Sequence, residues 1–484
     1  MEQLNSKKDI KHQKTKPLNI LLLTGICIST ILSIRNWPLS AEYGFSSLSL
    51  ILISAFFFLI PVSLVSAELA TGWPEKGGIY TWVKEAFGHK AGFASIWFVW
   101  ISNVVWYPTI LSFIVAAAAY MIYPSLTQHP YLFFSAVTLT FWGIILLNLN
   151  GAKISGLFSS ACLIFGTIIP GGLIITFGFL WLFDGNPIQM NIHFKDLIPK
   201  ISGFKELVFF SGLLLGFSGM EMPAVHASDV SNPQKSYPKA IFLSSLVIIV
   251  LSIIGTFSVG LVIPQDKISL VTATLDALSI FLTKYHLLWI MPILTILIAL
   301  GALGGVCTWV IGPSKGLLEA AKKSNFPGFI TKKNKNGVPV NILIIQGFIV
   351  TTLSSAFLII PSLSGAFWIL TALTSQLYLI AYVMMFLSGI YLRYKKPEVP
   401  RKYKIPGSNF GIWLTVCIGI ISSCFAIIIG FFPPSQIEVG GNTFYCLFLV
   451  SGILLFSIPP FFTANTSNPV LSKHRVDRKA LQQD

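Results

Sequence analysis

Residues 29–38 read Ser-Thr-Ile-Leu-Ser-Ile-Arg-Asn-Trp-Pro and sit inside an apolar run from 18 to 43. A lipid-facing helix would not place an arginine, an asparagine and a proline in the middle of a run long enough to cross a bilayer, because hydrocarbon cannot satisfy their polar groups. A second stretch of this kind, Gly216-Phe217-Ser218-Gly219-Met220-Glu221-Met222-Pro223, interrupts the run from 206 to 230. An unwound segment frees backbone N–H and C=O groups, which a membrane tolerates only where a solute, an ion or water uses them. Two such interruptions predict broken helices 1 and 6 around a solute site near the bilayer midplane.

Outward from these stretches the chain is apolar throughout. Of 484 residues only 11% are charged, against roughly a quarter in soluble domains. The mean hydropathy is +0.76. No Asp, Glu, Lys or Arg occurs in 91–152, 154–183, 240–265, 336–392 or 439–472. About 20 apolar residues cross a bilayer as a helix, whereas barrel strands would alternate polar and apolar positions. The reading is an all-α integral membrane protein of twelve transmembrane helices, near 18–43, 46–68, 92–123, 131–149, 154–183, 206–230, 238–263, 286–320, 339–360, 364–392, 410–432 and 442–463. The interrupted spans are the first members of two consecutive groups of five that enter the membrane from opposite sides, which predicts 5+5 inverted repeats. The segments are then a basic tail 1–17, a first repeat 18–183, a second repeat 184–392, a pair of helices with their preceding loop 393–464, and a short tail 465–484.

With the N-terminus in the cytoplasm, 27 basic residues fall on that side, five outside and one, Arg35, within the membrane. This follows the positive-inside rule and puts both termini in the cytoplasm. The net charge of +15 is thereby a matter of topology and attraction to anionic membrane lipids, with no nucleic acid implied. Lys7, Lys8, Lys11, Lys14 and Lys16 precede the first span without a cleavage pattern, so an uncleaved first helix is expected. Cys27, Cys162, Cys307, Cys417, Cys424 and Cys446 lie in apolar runs with no CxxC pair or His cluster, and read as core hydrophobes; no metal or cofactor is expected. Gly25, Gly143, Gly166, Gly171, Gly172, Gly301, Gly304 and Gly305 read as close-packing positions between helices. No converging catalytic set and no repeated filter sequence points to an enzyme or a channel.

The segment Glu68-Leu69-Ala70-Thr71-Gly72-Trp73-Pro74-Glu75-Lys76-Gly77-Gly78-Ile79-Tyr80, ending at Phe87-Gly88, resembles the "E-(L/M)-A … P … G-G … (Y/F)" signature of permeases in the amino acid/polyamine/organocation superfamily. Gly219, Glu221, His226 and Ser231-Asn232-Pro233 with Tyr237-Pro238 resemble the sixth helix of the bacterial glutamate/GABA antiporters. So do Trp309 and Gly312-Pro313-Ser314-Lys315-Gly316 in the eighth helix, Asn334 to Val340 after it, and Tyr378 with Tyr382 in the tenth. The likeness runs from the first span to the twelfth. It implies the leucine-transporter fold in a bacterial inner membrane and alternating access around a site between helices one, six, three, eight and ten. The activity it implies is antiport, or proton-coupled uptake, of an amino acid.

The departures bear on substrate. The chain has Arg35 and Asn36 where those antiporters carry a tyrosine and a glutamate, Gly305 in place of a helix-eight glutamate, and Ser160 in place of a helix-five basic residue. Ser160 and Thr308 leave sodium coupling open, and about twenty polar residues after the last span are not expected to form a long plug. Ser33, Ile34, Arg35, Asn36, Phe217, Gly219 and Glu221 are the substrate-binding candidates. Arg35 would clamp a carboxylate, or else pair permanently with Glu221 or Glu42. Glu221 is the proton-coupling candidate, with a hydrogen bond to unwound backbone as the alternative. Phe217, Tyr378 and Tyr382 are gating candidates, while Trp309 and His226 read as packing. Free carbonyls near Ile34 and Phe217 suit an ammonium, and free N–H groups near Glu221 a carboxylate. An acidic amino acid or its decarboxylation product is the first expectation, a neutral amino acid or polyamine the alternative.

Overall fold

The computed structural model describes residues 20–74, 77–151, 162, 164–199, 207–223, 233–322, 328–401, 403–435 and 437–460. Their regular structure is helical, and among them nine helical stretches are long and apolar enough to cross a membrane. The helix α1 (Ile20–Ile31) stops where the sequence places polar residues: Ser33 is extended (φ −141°, ψ 126°), Ile34–Asn36 form a single 3-10 turn, and α2 (Trp37–Ala41) resumes. Pro38 lies in the first turn of α2, where its missing N–H removes no helical bond. The second stretch behaves alike: α9 (Phe209–Gly216) ends at Gly216, and Gly219 has φ +117°, a conformation open to glycine. His226 and Ser160 lie outside the described residues.

The other helices are α3 (Ser47–Ser54) and α4 (Ile60–Gly72), joined through a π-helical turn over Ala55–Leu59, α5 (Ile79–Phe87), α6 (His89–Ala119), α7 (Pro130–Leu149) and α8 (Ile169–Phe183). After α9 come α10 (Pro233–Val262), α11 (Ala273–Lys284), α12 (Met291–Ala321), α13 (Val340–Ser354), α14 (Ala356–Ile359), α15 (Leu363–Lys395), α16 (Ser408–Ile429) and α17 (Asn442–Ser457). The short helices α5 and α11 were not legible in the span pattern: each is too short to cross a bilayer, and their charged residues read as loop.

Two helices form the axis. Helix α6 packs on α12 and α15, and its most apolar window is 94% buried, with α15 at 83%. Both carry polar residues that lipid would not satisfy, Ser102, Asn103, Thr109 and Ser112 on α6 and Thr371, Thr374, Ser375 and Gln376 on α15, and these are buried within the protein. By contrast α7 is 33% buried and exposes Leu132, Leu139 and Leu146 at seven-residue spacing, one outward stripe facing lipid.

The glycine expectation holds where helices touch. A Cβ on Gly166 would sit 2.1 Å from the Leu297 carbonyl oxygen and 2.3 Å from Gly301 Cα, so the segment 164–168 lies directly on α12; one on Gly171 would meet Ile34 at 3.0 Å. It fails at Gly25, Gly143, Gly172 and Gly305, where none of the described residues comes within 4 Å of an added Cβ. The cysteine expectation also fails in part: Cys417 and Cys424 are exposed on α16, because an apolar residue in a membrane helix can face lipid as readily as core.

Candidate functional site

The broken segment of α1 opens onto a cavity of about 150 Å³ enclosed by residues of 164–168, α6, α9, α12 and α15. Ser33, Ile34, Arg35 and Asn36 all line it, as does Tyr378. Asn36 also packs across to the second break, since a Cβ on Gly216 would lie 3.4 Å from its Nδ2. Pro108, inside α6 at this level, removes one backbone hydrogen bond from the helix beside the cavity.

Arg35 is 7% exposed and pairs with neither Glu42 nor Glu221. Its Nη1 donates to Thr109 Oγ1 at 3.1 Å, and the Thr109 hydroxyl donates to the Trp106 carbonyl at 2.8 Å. The guanidinium carbon stands 5.2 Å from the Trp106 ring centroid and 5.6 Å from that of Phe367. The two rings stabilise the charge through their π faces. Among the described residues Nε has no hydrogen-bond partner. In an arginine the Nε–H and the Nη2 group form one planar edge, the geometry that holds a carboxylate by two parallel bonds. That edge is the part of Arg35 that the protein leaves unused.

Phe217, Gly219, Glu221 and Tyr382 are not at the cavity wall. They form a second cluster. Glu221 is 1% exposed; Tyr378 Oη donates to its Oε1 and Tyr382 Oη to its Oε2, both at 2.5 Å. Tyr382 Oη in turn accepts the Gly219 N–H at 2.7 Å. The tyrosine rings lie 5.0 Å apart, and Phe58 packs edge-on against Tyr382 at 5.1 Å. Tyr378 belongs to both groups, lining the cavity with its body and holding Glu221 with its hydroxyl. One of the carbonyls expected to take an ammonium is already engaged: Ile34 O accepts from Thr274 Oγ1 at 3.0 Å.

Trp309, read from sequence as packing, lines the cavity beside Gly305, and its carbonyl accepts from Tyr107 Oη at 2.8 Å. The sequence reading missed Asn103, Trp106, Thr109 and Phe367. Their helices are buried on every side, so no break in polarity marks them. Pro108, between Trp106 and Thr109, was the one signal that could have drawn attention there. Among the described residues no group of His, Cys, Asp or Glu could hold a metal ion.

The signature residue Glu68 is a structural tie. It is 3% exposed, its Oε2 accepts from Arg393 Nη1 at 2.5 Å and from the Ile405 N–H at 2.8 Å, and Arg401 Nε lies 3.9 Å from Oε1. Arg401 stacks over Trp73 at 4.9 Å. Beside this cluster Lys396 Nζ donates to Glu85 Oε2 at 2.6 Å, and this hydrogen bond holds the Glu85 carboxyl below its ordinary range.

A family model described as amino acid permease matches residues 18–454. An uncharacterized transporter of Legionella pneumophila is 44% identical over 94% of this chain and 98% of its own length. A glutamate/gamma-aminobutyrate antiporter of Lactococcus lactis is 31% identical over 92% and 90%, and a probable agmatine/putrescine antiporter of the same species 24% over 73% and 74%. The crystal structure of a manganese transporter from Eremococcus coleocola superposes with a TM-score of 0.51 over 91% of this chain and 94% of that one, at 14% identity, a likeness of fold alone.

Proposed function

Because the chain belongs to the amino acid permease family, we propose that it is a secondary amino-acid transporter, an antiporter or proton-coupled permease working by alternating access in a bacterial inner membrane. Its architecture on this reading is twelve helices in a leucine-transporter fold, with 5+5 inverted repeats and both termini in the cytoplasm. The observation that carries the reading is the side-on edge of Arg35, unused among the described residues, at the wall of the central cavity. With the Trp106 and Phe367 rings against it and Nη1 held by Thr109, the guanidinium has its Nε–Nη2 edge left to receive a carboxylate in its own plane. Glutamate, or an ω-amino acid such as its decarboxylation product, presents that group. Among the described residues the cavity lining contains no Asp or Glu, which disfavours a polyamine, since two or more ammonium groups would be left without a counter-charge.

Protons enter this scheme through Glu221. Adding a proton to that carboxyl removes the charge that strengthens the bonds from Tyr378 and Tyr382, and a loosened Tyr378 changes the shape of the cavity it lines. Tyr378 and Tyr382 thus act as the gate, with Phe217, buried at the break after α9, as its third member. The test is counterflow of labelled amino acids into proteoliposomes at acidic and neutral pH, with wild type beside Arg35→Ala and assembly checked by gel filtration. Exchange of glutamate or GABA that Arg35→Ala abolishes supports the proposal. Exchange that survives in Arg35→Ala sinks the carboxylate clamp.

A further inference from the structure

Beyond the outer end of α2 lies a second pocket, of about 410 Å³, that the transport reading does not use. Its wall includes Glu42, Tyr43, Gln189, Asn191, Gln265 and Asp266. The wall is tied across and to its surroundings: Gln265 Nε2 donates to the Glu42 carbonyl, and the Gln189 N–H to the carbonyl of Leu261 behind the wall at 2.9 Å. Glu42 is 6% exposed and lines the pocket, and its carboxylate makes no hydrogen bond or ion pair among the described residues. An isolated buried carboxylate is costly, and such groups are normally paired or hydrogen-bonded.

We propose that this pocket is an outer ligand site that takes a primary ammonium group, with Glu42 as its counter-charge and Asp266, exposed at the rim, adding attraction from solution. An ammonium donates three hydrogen bonds, and the wall offers acceptors in Glu42 and in the amide oxygens of Gln189, Asn191 and Gln265. The volume is within the range of sites for small organic molecules and far exceeds the needs of a bare ion. Glu42 follows Arg35 by seven residues, with Arg35 in the 3-10 turn before α2 and Glu42 at the C-cap of α2. The two ends of α2 are therefore flanked by a cation on the side of the central cavity and an anion on the outer side, and a zwitterion approaching from outside meets the site for its amine before the site for its acid. The outer site stands or falls separately from the assignment at Arg35.

The experiment uses the full-length protein in lipid nanodiscs and radiolabelled n-propylamine, a probe with no carboxylate. Wild type and Arg35→Ala bind it saturably, Glu42→Gln binds it at least about tenfold more weakly, and replacing choline by sodium in the buffer leaves binding unchanged. In wild type carbodiimide activation of Glu42 lets the bound amine attack the activated carboxyl, giving the propylamide with release of the urea, read by peptide mass spectrometry and needing no variant to fold. Equal binding by a well-assembled Glu42→Gln, or absence of the Glu42 propylamide, overturns the site. Displacement by sodium overturns the ammonium assignment in favour of an inorganic cation. Loss in Arg35→Ala with retention in Glu42→Gln places the amine in the central cavity and overturns the proposal.

Discussion

Replacing Tyr378 or Tyr382 by phenylalanine should destabilise the protein unequally. Each substitution removes one hydrogen bond to the buried Glu221 carboxylate, and bonds to charged groups contribute about 1.5–3 kcal/mol. Tyr382 also accepts the Gly219 N–H, so Tyr382→Phe strands a buried donor at a further cost of about 1–3 kcal/mol. Tyr378→Phe should therefore lose about 1.5–3 kcal/mol and Tyr382→Phe about 2.5–6 kcal/mol. Repeating both in a Glu221→Gln background separates the contributions as a double-mutant cycle. The charge-dependent part shrinks toward that of a neutral bond, about 0.5–1.5 kcal/mol, while the difference between the two tyrosines persists because Gly219 is unchanged. Unfolding by SDS in mixed micelles, followed by tryptophan fluorescence, gives the four free energies. Tyr378→Phe costing as much as Tyr382→Phe, or a gap that vanishes in Glu221→Gln, would refute the arrangement.

The same assay tests three other features. Glu68→Ala leaves Arg393 and Arg401 without their buried partner and should cost about 3–5 kcal/mol; a loss comparable to that of a surface pair would remove Glu68 from its role as a tie. Because the Lys396 hydrogen bond lowers the folded pKa of Glu85, the pair contributes fully above the unfolded carboxyl pKa of about 4.3 and is lost as pH falls through the lower folded value. Lys396→Met should flatten that acid-side slope by no more than about 1 kcal/mol, and a change confined to alkaline pH would contradict it. Gly166→Ala should fail to assemble or lose more than about 1–3 kcal/mol, whereas Gly172→Ala, with open space at its Cβ, should be neutral in gel filtration and unfolding.

What was legible in the sequence was what violates the membrane's rules. Ser33 to Asn36 and Gly216 to Pro223 were visible because polar groups and proline stand where hydrocarbon forbids them, and the cavity opens at the first of these. The partners of Arg35 were not legible, because Trp106 and Phe367 are ordinary members of helices buried all round and Thr109 bonds within its own turn. Glu221 was legible as exceptional but not as enclosed: only the fold shows that two tyrosines 157 and 161 residues away occupy both its oxygens. Glycine spacing located the contact of Gly166 with Gly301 and misjudged Gly305, because a missing side chain serves a cavity wall as well as a tight crossing.

The enclosure of α6 and α15 has a consequence for how the protein meets its bilayer. With 31 residues, α6 is roughly 46 Å long, well beyond the roughly 30 Å of a hydrocarbon core. It has almost no lipid neighbours to register that mismatch. The 20 residues of α7 match the core closely, and they stand in the outer ring. A thinner or thicker membrane therefore pulls first on the rim, through tilt and local deformation, and the helices that carry Arg35's partners feel it only as far as the rim transmits it.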